Sequence, residues 1–289
     1  MSTSETRLIE QVVNTTRYPL AEPGTDGWND VVSRIRHELH SIGCSVLSDF
    51  IRPSMRESLQ QECAAVAPLA YYEVETVNVY NIATDMSLPE DHPGRIAMQR
   101  GNAFVARDRI SADLIIHRLY SSELFQRFVA SCFELPRLYE LADRLSGLCL
   151  NVVNPKMEHP WHFDTNEFTV SMLTQAPEAG GVFEYCPNIR SVCQENLDDV
   201  RAVLVGAGSQ WIRRLLLRPG DLQLFKGRYS LHRVSCVQGG TARHSAIFAY
   251  SERPGVIGSV ARTRQLFGRV LPQHLATEGR AVRADQLLD

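Results

Sequence analysis

Two segments of the chain, EHPWHFD (residues 158–164) and RPGDLQLFKGRYSLHRV (residues 218–234), carry most of the structural and chemical information. The first contains a His-x-Asp pair, His162 and Asp164, which offers one imidazole and one carboxylate. The pair alone proves little, because a chain of 289 residues with nine histidines produces such pairs by chance. The second segment has the pattern of a turn, a strand, another turn and a second strand, which contains His232.

A facial triad results if His162, Asp164 and His232 converge. Two histidines and one carboxylate leave three adjacent positions open on a six-coordinate iron, and the activation of oxygen requires open positions. Alternation along a strand places side chains 162 and 164 on one face, so one short segment supplies two ligands. The third ligand then comes from a distant strand.

The rest of the chain predicts a mainly β fold with flanking helices. From residue 148 onwards, short apolar segments separated by turn residues indicate antiparallel strands in a sandwich or barrel. The earlier part predicts helices at 28–43, 54–70, 121–133 and 136–145, and strands at 44–51 and 71–82. We expect a single domain with a mainly helical N-terminal part (1–147), a β-core with the metal site (148–256) and a C-terminal extension (257–289).

Composition and charge exclude several function classes. Lys plus Arg total 30 against 33 Asp plus Glu, a net charge of −3 without single-sign blocks, which argues against nucleic-acid binding. No apolar run reaches the roughly 18 residues of a membrane span, and the N-terminus lacks a secretory layout. The seven cysteines are scattered without a C-x-x-C pair, so we expect reduced thiols in a cytoplasmic protein, with no disulfide framework or structural zinc.

Arg243 is the next candidate, eleven residues after His232 in a segment that reads as a buried strand. A buried guanidinium needs an anionic partner and binds a carboxylate through two parallel hydrogen bonds. The distal carboxylate of a 2-oxoacid bound beside the metal is one such partner, and a structural ion pair is the alternative.

The order of these motifs resembles a known family. HFD (162–164), PGDLQLFKG (219–227), HRV (232–234) and GTARHS (240–245) are similar to the motifs of iron(II)/2-oxoglutarate-dependent oxygenases, over about residues 148–256. The longer string WHFDTNEFTVSMLTQAPEAGGVFEY (161–185) looks most similar to the group that acts on free amino acids. That group includes the lysine-type radical halogenases and their hydroxylase relatives.

The resemblance implies a distorted double-stranded β-helix, the jelly roll of the cupin-like folds. It implies Fe(II), 2-oxoglutarate and O₂ as cofactor and cosubstrates, with His162, Asp164 and His232 as iron ligands. Arg243 would bind the distal carboxylate of 2-oxoglutarate. Asn151, on the strand that enters the motif, would face the cosubstrate, and a solvent-facing or bulge position is its alternative. In halogenating members a small residue at the carboxylate position leaves space for chloride, whereas Asp164 here favours hydroxylation.

Four neighbours are candidate substrate contacts. His159 and Trp161 flank the motif and would line the substrate pocket, with His159 meeting a carboxylate. Glu167 would accept an ammonium group, and Arg95 would pair with the substrate carboxylate from above. The alternatives are a core aromatic residue for Trp161 and solvated surface residues for the other three. The histidines outside any motif, His274 among them, are predicted at the surface.

The predicted activity is hydroxylation of an unactivated C–H in a small amino acid or amino-acid derivative, with release of succinate and CO₂. The same chemistry on a carrier-bound or peptide-bound substrate is the first alternative. A jelly-roll sensor that binds metal or oxoacid without turnover and a cupin-like oxygenase that needs no oxoacid are the others. The oligomeric state is not specified by any pattern in the sequence.

Overall fold

The computed structural model describes residues 3–279 and Leu287. The helices are α1 (Thr3–Val12), α2 (Asp26–Ile42), α3 (Pro53–Val66), α4 (Ile115–Tyr120), α5 (Glu123–Cys132), α6 (Leu197–Leu204), α7 (Val260–Phe267) and α8 (Pro272–Ala276). The strands are β1 (Cys44–Leu47), β2 (Glu75–Val77), β3 (Met98–Arg100), β4 (Asn102–Val105), β5 (Tyr139–Glu140), β6 (Leu148–Val153), β7 (His159–His162), β8 (Thr169–Gln175), β9 (Ala179–Gly180), β10 (Phe183–Cys186), β11 (Arg213–Leu215), β12 (Leu222–Phe225), β13 (Leu231–Val234), β14 (Val237–Gln238), β15 (Arg243–Phe248) and β16 (Tyr250–Ser251).

Two antiparallel sheets form the core of the fold. The larger has six strands in the order β1-β12-β8-β15-β6-β4, and the smaller has four in the order β11-β10-β13-β7. Along the chain, β6, β7, β8 and β10 alternate between the two sheets, and β12, β13 and β15 do so again. This alternation is the winding of a jelly roll. The predicted fold class, a mainly β double-stranded helix with flanking helices, is confirmed.

Alternation along the strands of the larger sheet separates its two faces. One face packs on α1 to α5 and forms the main hydrophobic core, with strand residues that include Leu148, Leu150, Val170, Met172, Leu222, Leu224, Ala246 and Phe248. The residues between them are more polar and line a cavity instead: Asn151, Ser171, Gln223, Arg243 and Ser245. The site therefore lies on the inner face of the larger sheet, opposite helices α1 to α5.

Local signals in the sequence explain the helical layer. α2 begins where the hydroxyl of Thr25 accepts a hydrogen bond from the backbone N–H of Trp28, and it ends at Gly43, whose φ of 66° suits glycine. Its residues Val32, Ile35 and Leu39 are buried at helical spacing. The prediction of a helix at 28–43 followed by a strand is therefore confirmed.

Other local predictions need correction. Residues 136–145 are not helical, because Tyr139–Glu140 pairs with Tyr250–Ser251 as a short antiparallel ladder. α3 has no side-chain hydrogen bond at its cap, and Pro53, one residue before the predicted start, begins the helix. The strand predicted over residues 71–82 covers only Glu75–Val77.

The β-core is also wider than residues 148–256. β1 and β4, both from the part predicted as mainly helical, form the two edges of the larger sheet. β4 pairs with β6 and β1 pairs with β12, so the N-terminal part completes the sheet. The single-domain organisation stays a prediction, and residues 280–286 and 288–289 of the C-terminal extension lie outside the described residues.

His274 is buried rather than at the surface. Its Nε2 lies 3.0 Å from Oδ2 of Asp143, a carboxylate that also accepts hydrogen bonds from the backbone N–H groups of Leu145 and Gly258. Asp143 therefore fastens both α8, through His274, and the chain just before α7, through Gly258, to the loop before β6. Among the described residues, no helix has the length and apolar character needed to cross a membrane.

Candidate metal centre and active-site cavity

The predicted triad is assembled in the structure. The candidate ligand atoms of His162, Asp164 and His232 all lie within 4.8 Å of one another. Oδ1 of Asp164 is 3.4 Å from Nε2 of His232 and 3.8 Å from Nε2 of His162. His162 and His232 are direct partners across β7 and β13, so the two imidazoles meet because of the sheet register.

Backbone carbonyls orient both imidazoles. Nδ1 of His162 donates to the carbonyl oxygen of Pro160 at 2.8 Å, and Nδ1 of His232 donates to that of Ser230 at 2.9 Å. These bonds leave each Nε2 lone pair directed at the centre, as a metal ligand requires. Burial, with smaller contributions from His159 and His232, holds the pKa of His162 well below its ordinary value, so this imidazole stays neutral.

The carboxylate of Asp164 is held by two further contacts. Its Oδ2 accepts a 2.6 Å hydrogen bond from the hydroxyl of Thr169, which leaves Oδ1 for the centre. Burial opposes ionisation, but the adjacent His232 and His162 and the Thr169 hydroxyl outweigh it and hold the pKa of this carboxyl below its usual range. A Cβ at Gly227 would lie 2.6 Å from Cγ of Asp164, so only glycine leaves room for the carboxylate.

Arg243 lies on the same cavity, at the start of β15. Its guanidinium donates to the hydroxyl of Ser245 at 2.6 Å, and burial lowers its pKa to about 10. Within the described part of the chain, no carboxylate forms an ion pair with it. A Cβ at Gly181, where φ is 57°, would come within 3.2 Å of Cδ of Arg243, so this glycine makes room for the arginine. A structural ion pair therefore does not explain Arg243.

The cavity itself has a volume of about 1090 Å³ and is lined by residues of both sheets. Asn151 lines it from β6, where its Oδ1 accepts a hydrogen bond from the amide of Asn102 at 3.1 Å. His159 also lines it, because a bulge in β7 turns His159 and His162 to the same side. The two imidazoles stack with their centroids 3.7 Å apart, and Nε2 of His159 is buried without a hydrogen-bond partner.

Three predicted substrate residues are placed elsewhere. Trp161 precedes His162 on the strand and so faces the other side of the sheet, where the guanidinium of Arg233 lies 4.7 Å above its ring. Arg95 ends a short 3₁₀ turn and donates to the carbonyl of Leu88. Glu167 is partly exposed beyond the strand end. None of the three lines the cavity, so the structure does not bring them to the site.

Three other residues at the site are not predicted from the sequence. Thr169 and Gly227 act on Asp164 from separate segments, and only their contact in the fold reveals it. Arg262, on α7, lines the cavity near Asp164 and Glu75. Its surroundings in the sequence, VARTRQLF, are those of an ordinary amphipathic helix, in which an arginine is expected in solvent.

The donor set fits an iron ion. Two imidazoles and one carboxylate on one side of a cavity form the arrangement that leaves coordination positions open for a cosubstrate. The buried Arg243 on the same cavity wall fits a dicarboxylate beside that ion.

Comparisons with known proteins agree with this fold. The family model for Halogenase D matches residues 28–262, and no curated protein matches. The carbocyclase SnoK of nogalamycin biosynthesis, described as non-heme and alpha-ketoglutarate dependent, superposes with a TM-score of 0.51 at 16% identity, over 82% of this chain and 92% of that one. A 2OG-Fe(II) oxygenase-family oxidoreductase from Burkholderia pseudomallei has a TM-score of 0.48 at 15% identity, over 78% and 92%. At this identity the likeness to SnoK shows a shared fold.

Proposed function

Because this chain belongs to the Halogenase D family, we propose that it is an Fe(II)/2-oxoglutarate-dependent oxygenase, and that it hydroxylates its substrate rather than halogenating it. The observation that carries the proposal is the convergence of His162, Asp164 and His232, with a carboxylate where a halogenating site needs space for chloride. Arg243, buried on the same cavity without a carboxylate partner among the described residues, supports 2-oxoglutarate as the cosubstrate.

The bound iron would couple the oxidative decarboxylation of 2-oxoglutarate by O₂, which yields succinate and CO₂, to insertion of the second oxygen atom into a C–H bond. His162, His232 and Asp164 would hold the metal through Nε2, Nε2 and Oδ1. Arg243 would bind the distal carboxylate of 2-oxoglutarate, with Asn151 facing the cosubstrate. The cavity walls position the target C–H bond and limit the access of water.

For the substrate we propose a free or lightly modified amino acid. Charged side chains of both signs line the cavity, among them Glu73, Glu75 and Arg262, as a zwitterion requires. His159 supports the same class, because its buried Nε2 is available to a polar group in the cavity. A carrier-bound or peptide-bound aminoacyl group is the competing substrate, and hydroxylation of the tethered form alone would replace our proposal. We keep a cytoplasmic location as a prediction.

The cofactor assignment is tested without knowledge of the substrate. Fe(II) and 2-oxoglutarate added to the protein without oxygen should produce the weak visible charge-transfer band of a chelated iron–oxoacid complex. Admission of O₂ should then release succinate. A metal-binding sensor would produce no succinate, and an iron oxygenase that needs no oxoacid would produce no band.

Arg243→Ala should raise the 2-oxoglutarate concentration for half-maximal band intensity by about 10- to 100-fold, the loss expected for a charge-assisted contact. Arg269→Ala is the matched control, since Arg269 pairs with Asp108 and does not line the cavity. An unchanged half-saturation in Arg243→Ala would remove Arg243 from the cosubstrate site.

Halogenation is the second candidate, and the family match favours it. With Asp164 in place, we expect the product to gain one oxygen even in saturating chloride, because the carboxylate takes the position that chloride would need. Mass spectrometry of reactions with an amino-acid panel, run with and without chloride, distinguishes the outcomes. A product in which chlorine replaces hydrogen would overturn the hydroxylase proposal.

A further inference from the structure

α7 closes one side of the cavity. The helix begins at Ser259, whose hydroxyl accepts from the backbone N–H of Arg262, and it ends at Gly268 with φ of 67°. Val260, Thr263 and Phe267 are its buried residues, while Arg262 and Gln265 line the cavity. The chain before the helix is fastened at Gly258 by Asp143. The helix is therefore held by contacts that do not involve the side chain of Arg262.

Arg262 is a half-buried cation on the cavity wall, and no carboxylate among the described residues pairs with it. Burial lowers its pKa to about 10, and Asp164 and Glu75 favour its charge only at a distance. Among the described residues, no carboxylate lies at ion-pair distance from it, and Glu75 is already paired with Arg100. The guanidinium of Arg262 donates to the side-chain oxygen of Gln265, whose amide in turn donates to the carbonyl of Asn81 at 3.0 Å. This chain of hydrogen bonds orients the guanidinium but does not neutralise it.

The charges of the proposed catalytic centre cancel one another without Arg262, so its positive charge has no counterpart there. A divalent iron, the two carboxylates of 2-oxoglutarate, Asp164 and Arg243 together carry no net charge. The cosubstrate therefore accounts for Arg243 and not for Arg262. An arginine that lines the cavity without a carboxylate partner can pair with an anion that arrives with a ligand.

We propose that Arg262 binds the carboxylate of the primary substrate, and that the oxygenase selects substrates with a free carboxylate. The inference rests on the proposed function, since it takes the cavity as the active site of an oxygenase. A guanidinium braced on one edge by Gln265 presents its remaining N–H groups to a planar carboxylate. An amide or ester in place of that carboxylate leaves the charge unpaired, so the site discriminates strongly against such analogues.

Binding of small carboxylates tests this assignment without turnover. The protein is loaded with Mn(II) and 2-oxoglutarate, and its melting temperature is measured with each proteinogenic L-amino acid and with the corresponding amide. Acetate, butyrate and hexanoate are included as simple carboxylates. We expect acids to stabilise the protein and amides not to do so. Arg262→Gln should weaken binding of the best acid by about 10- to 100-fold, and Arg262→Lys by less.

A second readout separates a binding role from a structural one. Because no carboxylate among the described residues pairs with Arg262, Arg262→Gln should leave the melting temperature of the ligand-free protein nearly unchanged, whereas loss of a structural ion pair would lower it. Arg269→Gln, which changes the net charge equally but breaks the Asp108 pair outside the cavity, is the control.

Several results would overturn the inference and leave the oxygenase intact. One such result is that wild type and Arg262→Gln bind the best carboxylic acid with equal affinity. Another is that Arg262→Gln needs a higher 2-oxoglutarate concentration than wild type, which would mean that Arg262 binds the cosubstrate. If neither amino acids nor simple carboxylates bind the wild type, carboxylate recognition fails. The iron–oxoacid band and O₂-dependent succinate formation still test the proposed function independently of these results.

Discussion

His232→Ala is expected to abolish iron-dependent succinate formation and the anaerobic iron–oxoacid band. The variant loses one of three ligand atoms that lie within 4.8 Å of one another, and a single imidazole with one carboxylate holds Fe(II) weakly. Loss of residues that only support a ligand costs about 10- to 100-fold in metal affinity, so loss of the ligand itself should exceed about 100-fold. Iron content after anaerobic reconstitution and gel filtration measures the effect.

The matched control is His244→Ala. His244 is also buried, on β15, but it does not line the cavity and lies outside the triad. This variant should keep its iron and its band. Added imidazole should partly restore iron binding to His232→Ala, which distinguishes a missing ligand from a misfolded chain. Iron content and turnover of His232→Ala equal to those of wild type would exclude His232 as a ligand.

Gly227→Ala is expected to reduce iron affinity by about 100-fold although it adds only a methyl group. The new Cβ would lie 2.6 Å from Cγ and 2.9 Å from Cβ of Asp164, so the carboxylate must leave its position beside the histidines. The backbone at Gly227 is outside the left-handed region, so alanine itself is not strained there. The effect should therefore appear in metal binding rather than in folding, and iron titration followed by the anaerobic band measures it.

Two comparisons make this prediction specific. Gly240→Ala is the control, since the nearest atom to its added Cβ lies at 3.6 Å and its backbone is likewise outside the left-handed region. In an Asp164→Ala background, Gly227→Ala should weaken iron binding no further, because the displaced carboxylate is already gone. Additive losses in the double variant would mean that Gly227 acts on the site by another route.

The triad and Arg243 were predictable because each lies in a short segment with a strong local pattern. His162 and Asp164 are two residues apart, and the turns around residues 218–234 indicate the strand that carries His232. Alternation predicts that side chains 162 and 164 share one strand face, but β7 ends at His162 and Asp164 lies just beyond it. The register of β7 and β13 brings His162 and His232 together. The succession of short apolar segments after residue 147 predicts antiparallel strands in a sandwich or barrel, and the family resemblance implies the jelly roll.

The alternation of side chains between the two faces of a strand does not hold across the irregular part of β7. The bulge in β7 brings His159 to the cavity beside His162, and Trp161 between them turns to the opposite face. A bulge inserts one residue into the count, and Pro160 in HPWH is compatible with either a bulge or an edge strand, so the segment alone does not fix the irregularity. The predictions for Arg95 and Glu167 depend on their charge and their place in the sequence, neither of which indicates where a side chain points. Both residues lie away from the cavity.

By itself, the sequence determined the fold class, the three candidate ligands and the candidate arginine for the cosubstrate, because these depend on periodicity and spacing within short segments. Only the tertiary structure decided how Thr169 and Gly227 hold Asp164, that Asp143 fastens the chain before α7, and that Arg262 lines the cavity. These contacts join residues far apart in the chain, and their energies depend on burial and distance, which no local pattern encodes.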